Sequence, residues 1–241
     1  MGMLGADPSA VLLQIINTQA EIAQVSFGSP RVNPPLRSRL EGSGSELQFV
    51  NEALKCRRDL NLPAWVLCLL SATEAPDGIL TAASFHQGIQ QTRFWVNAKA
   101  LTAGEIADLA RRGGSDSVFS ICSQVELKNG SVRHIPMMDF LCRKSSRALD
   151  LIVRVVPRFG VGPGVILETD RSYHFYGFQL ISQLELAHFL GKALLFAPIV
   201  DQAWIAHQLI DMCCALRAGP RLAGGGAPKV VAFAGSSKMP A

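Results

Sequence analysis

The sequence predicts an α+β fold: a mostly antiparallel sheet with flanking helices. Two observations predict it. From Val118 onward the elements run strand, hairpin, strand, helix, strand, strand, helix, helix, which is not the strand–helix alternation of a doubly wound parallel sheet. The hairpin itself is signalled by Asn129-Gly130 between two apolar runs, a pair that readily adopts the positive φ angles of a tight turn. The chain has 241 residues, 49% of them apolar and 17% charged. That is enough apolar material for a sizeable core and too much for a disordered chain.

Each element has its own cue. Residues 10–25 carry Leu12, Leu13, Ile15, Ile16, Ile22 and Val25 at helical spacing, which predicts a first helix. Residues 28–35 and 41–45 are rich in Pro, Gly and Ser and read as a linker. A second helix is expected over 46–60, a buried strand over 64–71 and a strand pair between 78 and 96. Thr102-Ala-Gly-Glu105 is a capping box opening a helix that ends at Gly113-Gly114. A strand follows over 118–127, with its return over 132–141. A two-residue turn at Asn129-Gly130 would set Glu126 opposite Arg133 and Ser120 opposite Asp139. Ser145 or Ser146 caps a helix that breaks at 157–164. Strands are expected over 164–168 and 172–181. Ser182-Gln-Leu-Glu185 is a second capping box, and Pro198 stops its helix. A long amphipathic helix is expected from Asp201 to Arg217, with Trp204 on its apolar face, and a short strand over 229–233.

Composition narrows the class. The longest uncharged apolar runs, such as residues 65–70, are far short of a membrane span, so no membrane association is expected. The N-terminus lacks a basic segment ahead of its apolar stretch, so a cytoplasmic chain is expected. The six cysteines form no C-x-x-C pair and read as small buried hydrophobes, not as zinc ligands or a disulfide framework. Net charge is +4. Six bases against two acids between Arg133 and Arg158, and four bases without an acid from Arg217 onward, could form a phosphate-facing surface. P-loop, H-E-x-x-H and G-x-S-x-G signatures are absent, and Gly160-Val-Gly-Pro-Gly164 reads as a loop.

The informative stretch is 133–217. Met138-Asp139 places a lone carboxylate at the end of an apolar strand. Ser172-Tyr-His-Phe-Tyr-Gly177 opens another strand. Val200-Asp201 follows, and Arg217 lies beyond. This ordered set resembles the archaeo-eukaryotic primase (primase-polymerase) superfamily, whose members carry an acidic strand motif, an S-x-H motif, an apolar-Asp motif and later basic residues. The resemblance covers about 117–233. It implies an RRM-like primase-polymerase core within a domain of 46–241, behind an N-terminal helix and linker of 1–45. It also implies a nucleotidyltransferase that makes a nucleic-acid strand from nucleoside triphosphates in DNA replication.

By that resemblance Asp139 and Asp201 are catalytic and hold Mg²⁺ or Mn²⁺, since hard cations prefer carboxylate oxygens. Ser172, His174 and Arg217 bind the nucleotide, with Arg171, Arg221 or Lys229 as further phosphate cations and Tyr173 or Phe175 against base or sugar. Implied partners are nucleotides and nucleic acid, DNA ahead of RNA, within a larger replication complex. The chain departs from the family pattern at one place. A strand aims i and i+2 the same way, yet Met137 and Leu141 flank Asp139, so the usual second carboxylate is missing. A catalytically degenerate nucleotide- or nucleic-acid-binding module is therefore the alternative. Asp201 also reads as a helix N-cap, and Arg217 as a helix C-terminal charge.

Overall fold

A computed structural model describes residues 2–30, 92–112, 117–219 and 226–235. The expected helix over 46–60, the strand over 64–71, much of the strand pair between 78 and 96, and the boundary at 45/46 lie outside them. The described residues belong to one compact unit. Its helices are α1 (Pro8–Thr18), α2 (Ala103–Arg112), α3 (Ser146–Val155), α4 (Gln183–Leu194) and α5 (Gln202–Asp211). Its strands are β1 (Ile22–Gly28), β2 (Arg93–Asn97), β3 (Ser120–Leu127), β4 (Val132–His134), β5 (Met137–Asp139), β6 (Gly164–Glu168), β7 (Tyr173–Gly177), β8 (Ala215–Arg217) and β9 (Lys229–Ala234). No described helix is long and apolar enough to cross a membrane.

The fold is α+β, with every described strand pair antiparallel, and its strands form two sheets. The first runs β2-β1-β3-β4, with β8 also on β3; the second runs β5-β7-β6-β9. β3 shares one edge between two partners: Ser120–Cys122 pair with β8, and Gln124–Glu126 pair with β4. A continuous core fills the unit. Phe27 stacks between Phe94 and Phe119 in the first sheet, and Val165, Ile166 and Leu167 are buried on both faces of the second.

The first predicted helix is two elements. α1 is capped by Asp7, whose side chain accepts from Ala10 N at 3.0 Å, and it ends at Thr18. Ile22 and Val25, expected on its apolar face, instead lie in β1, between β2 and β3. A run of apolar residues satisfies either period over so short a span, and the sheet decides the outcome.

The hairpin register also differs from the expected one. Leu127 N donates to Ser131 O at 2.8 Å, and Gly130 takes φ +80°, so the loop holds three residues, Lys128 to Gly130. Glu126 then faces Val132, and Arg133 faces Val125. A slip of one residue sends side chains to opposite faces, so the expected Glu126–Arg133 pair does not form; Gln24 Nε2 donates to Glu126 at 2.8 Å instead. The return strand is also cut. Pro136 has no amide hydrogen for a ladder, and the chain leaves the first sheet as β4 and enters the second as β5. Asp139 therefore faces His174, and Ser120 faces Arg217.

The predicted helix over 201–217 stops early. Met212 takes φ 49°, and residues 215–217 form β8. Arg217 is thus a strand residue, not a helix terminus. The Ser182/Glu185 capping box closes reciprocally on α4, and Ser145 caps α3.

Two sites test this packing. At Gly164, paired with Gly177, a Cβ would overlap the Tyr176 carbonyl oxygen and the Phe175 ring. Gly164→Ala should cost about 3 kcal/mol, because a backbone oxygen cannot yield. Gly191→Ala, where a Cβ meets nothing within 4 Å on α4, should stabilise by about 0.5–1 kcal/mol. Urea midpoints of the two variants should move in opposite directions.

His134 is fully buried, between Ser123 Oγ on Nδ1 (3.0 Å) and Gln183 Oε1 on Nε2 (3.1 Å). Burial, with Arg93 adding to it, pulls its pKa from the ordinary 6.5 to about 4. The unfolded chain therefore takes up this proton first as pH falls. The stability linked to His134 is complete above pH 6.5 and is lost as pH falls toward 4. Between pH 7 and 5 the loss should be roughly 2 kcal/mol, and His134→Gln should flatten that part of the profile in urea titrations.

Candidate functional site

Where the edge strand β5 of the second sheet meets β8 of the first, a cleft of about 910 Å³ opens. Five stretches of chain line it: Val118 ahead of β3, the end of β5 with the residues that follow it to Lys144, the β6–β7 turn with the start of β7, the head of α5, and β8. The structure brings Asp139, Ser172, His174, Asp201 and Arg217 together here.

The positions follow from local structure. Asp139 ends β5 and His174 opens β7, directly opposite in the antiparallel register; His174 Nε2 lies 3.6 Å from Asp139 Oδ1. Beyond β5, Leu141 N donates to Ile199 O (2.8 Å) and Asp201 N donates to Asp139 O (3.1 Å). This short bridge makes Asp139 and Asp201 backbone neighbours. Asp201 is also the N-cap of α5, its Oδ1 accepting from Trp204 N at 3.0 Å. Arg217 reaches the cleft from β8. Its Nη1 donates to Gly219 O (2.7 Å) and Gly226 O (3.2 Å), and its Nη2 meets Asp170 Oδ2 at 3.2 Å.

His174 is buried, and burial, with the nearby Arg217 charge, pulls its pKa to about 3. It is a neutral imidazole at ordinary pH. Its contact with Asp139 is therefore a long polar contact between a neutral ring and a carboxylate. Its Nδ1 and the Tyr176 hydroxyl, on the same face of β7, are buried without a hydrogen-bond partner. Burial pushes the Tyr176 phenol far up. Ser172 donates its hydroxyl to Phe140 O, and its amide donates to Thr169 Oγ1 at 3.0 Å. Its contacts thus pin the β6–β7 turn onto β5.

Two expectations change. Tyr173 and Phe175 point away from the cleft into the core, 1% and 0% exposed, so neither reaches a base or sugar. The period of two decides this: His174 and Tyr176 take the other face. Trp204, expected as core, is half-buried, lines the cleft and donates Nε1 to Ala215 O at 3.1 Å. Of the further cations named from the sequence, Arg171 lines the cleft; Lys229 stands on β9, outside the cleft lining; Arg221 lies outside the described residues. Sequence reading missed Asp170, Arg143 and Lys144 as cleft residues. The last two lie in the basic run after Asp139, but no local signal tied that run to the turn over 169–172.

The cleft is lined by three carboxylates and four bases. Among the described residues no group of three or more His, Cys, Asp or Glu side chains gathers to hold a metal ion. A family model described as archaeo-eukaryotic primase 1D-like matches residues 98–220, just over half of the chain. The chain belongs to the archaeo-eukaryotic primase superfamily. Its members form a primase-polymerase family of nucleotidyltransferases, and the α+β fold described above is consistent with such a core. No curated protein and no solved structure matches the chain. The primase-like match contains all of the cleft-lining residues, from Val118 to Arg217.

The core placement of Tyr173 has a measurable consequence. Its hydroxyl accepts from Ser145 N and donates to Ser145 O, both at 3.1 Å, tying β7 to the cap of α3. Tyr173→Phe should lower stability by about 1–2 kcal/mol in chemical denaturation.

Proposed function

We propose that this primase-family chain binds a nucleoside triphosphate in the cleft and transfers its nucleotidyl group to a growing nucleic-acid strand. One observation carries the reading: Asp139, His174, Asp201 and Arg217, separated by up to 78 positions, converge on one open cleft. Arg217, Arg143, Lys144 and Arg171 supply positive charge for phosphates. The buried neutral imidazole of His174 offers a fixed hydrogen-bonding group beside them.

The donor set limits the metal. Asp139 and Asp201 are hard oxygen ligands on adjacent backbone positions, which suits one Mg²⁺ or Mn²⁺. It does not suit a pair of metals, because Met137 and Leu141 carry no side-chain oxygen and, among the described residues, no third group joins the cluster. When bound, such an ion would offset phosphate charge. The chain's own contributions are orientation of the triphosphate by Arg217 and His174, and a turn over 169–172 held rigid by Ser172 and Thr169.

The thin carboxylate set favours a second reading, a nucleotide- or nucleic-acid-binding module without catalysis. Primer extension on a DNA template with Mn²⁺ or Mg²⁺, alongside binding of a labelled triphosphate, separates the two. Catalysis predicts extension by the wild type and a drop of about a hundredfold or more in Asp139→Asn. Binding without extension selects the module. Absence of both rejects the cleft as a nucleotide site.

A further inference from the structure

The Arg217 guanidinium is already occupied by an anion. Asp170, on the turn joining β6 to β7, places Oδ2 3.2 Å from Arg217 Nη2. The Arg217 side chain is 13% exposed and the Asp170 side chain 30%. Nη1 is anchored by two backbone carbonyls of the segment leading to β9, Gly219 O and Gly226 O. These contacts hold the guanidinium, and one of them is to the carboxylate of another cleft-lining residue.

The turn around Asp170 is braced by its own hydrogen bonds. Thr169 N donates to Ser172 O at 2.9 Å, and Thr169 Oγ1 accepts from Ser172 N (3.0 Å) and Arg171 N (3.3 Å). The neighbouring acid, Glu168, is taken by Lys144 Nζ at 3.0 Å. The turn therefore presents Asp170 to Arg217 as a built-in counterion.

We infer that Asp170 sets the affinity of this cleft for phosphorylated ligands: an internal anion that competes with the ligand for Arg217 and weakens binding more, the more phosphates the ligand carries. The inference rests on the reading of the cleft as a nucleotide site. Its physics is simple. A phosphate chain must displace the carboxylate from the guanidinium and also tolerate its negative charge nearby. Several phosphates replace the lost pair with more than one charge-assisted contact, spread over Arg217, Arg143, Lys144 and Arg171. A ligand without phosphate gains nothing from the exchange. Removing the charge on Asp170 removes the competition, and the gain grows with ligand charge because the repulsion it relieves does.

Asp170→Asn keeps a hydrogen-bond acceptor toward Arg217 Nη2 and deletes only the charge. Equilibrium binding of fluorescent nucleoside tri-, di- and monophosphates, and of the unphosphorylated nucleoside, tests it on the full chain at fixed salt. The variant should bind the triphosphate about fivefold more tightly than the wild type, with a smaller gain for each phosphate removed and none for the nucleoside. Asp170→Ser repeats the measurement with a second uncharged side chain, and melting curves check that each variant folds. Unchanged or weaker triphosphate binding in a folded variant overturns the inference, since that result makes Asp170 a support for Arg217 and not its competitor. An equal gain for the nucleoside overturns it too. A wild type that binds no triphosphate, while neither variant does, rejects the nucleotide-site reading itself; binding by the wild type with no gain in the variants rejects only the role of Asp170.

Discussion

At Pro136 the chain has no amide hydrogen to give to a ladder, and this one absence governs the site. Residues 132–134 pair with β3; residues 137–139 pair with β7. Had the return strand continued along β3 in its observed register, Asp139 would have ended in the first sheet, opposite Phe119. Because the chain changes sheets, Pro136 instead packs on Gly177, whose amide donates to the Pro136 carbonyl at 2.8 Å, and Asp139 lies across from His174. The first half of β3 is left to β8, which delivers Arg217 to the same seam. One residue without a donor thus divides one long strand between two sheets and opens a cleft at their junction.

The charge arrangement of that cleft is held largely by backbone. Arg217 is aimed by two carbonyls, Asp201 by the amide of Trp204, Ser172 by the carbonyl of Phe140, and His174 by its place in β7. Such anchoring lowers the cost of organising the groups when a ligand arrives. It also explains how a histidine is kept neutral beside a carboxylate. The ring is buried, and Arg217 disfavours its protonation. The Asp139 contact at 3.6 Å is too long for a strong charge-assisted bond that would reverse this.

What was legible in the sequence were the elements with chemical punctuation. Ser182 and Glu185 announce α4, Ser145 announces α3, and the span 164–168 reads correctly as a strand. The ordered residues Asp139, Ser172, His174, Asp201 and Arg217 could be picked out because their order and types resemble the primase motifs. What was not legible depended on pairing. Ile22 and Val25 fit a helix until β2 and β3 claim them. Residues 213–217 continue an amphipathic pattern, yet buried Cys213 and Cys214 turn the chain onto β3. The one-residue difference in hairpin register arises from Gly130 alone at positive φ, which makes a three-residue loop of an Asn-Gly signal. Asp170 was invisible for the same reason: nothing near it in sequence points to Arg217, 47 positions away.

Asp201 shows why an N-cap and a ligand role need not exclude each other. The cap uses one carboxylate oxygen, Oδ1, on the Trp204 amide. That bond fixes the carboxylate at the head of α5, where the helix end favours negative charge. The Asp201 amide, bound to the Asp139 carbonyl, fixes the same residue from the other side. A side chain so restrained loses little freedom on meeting a cation, but it also cannot swing to complete a larger coordination shell. With Met137 and Leu141 beside Asp139, the shell cannot be completed from β5 either. On the proposed reading, fixed cations would do most of the work of holding a polyphosphate, and metal the least.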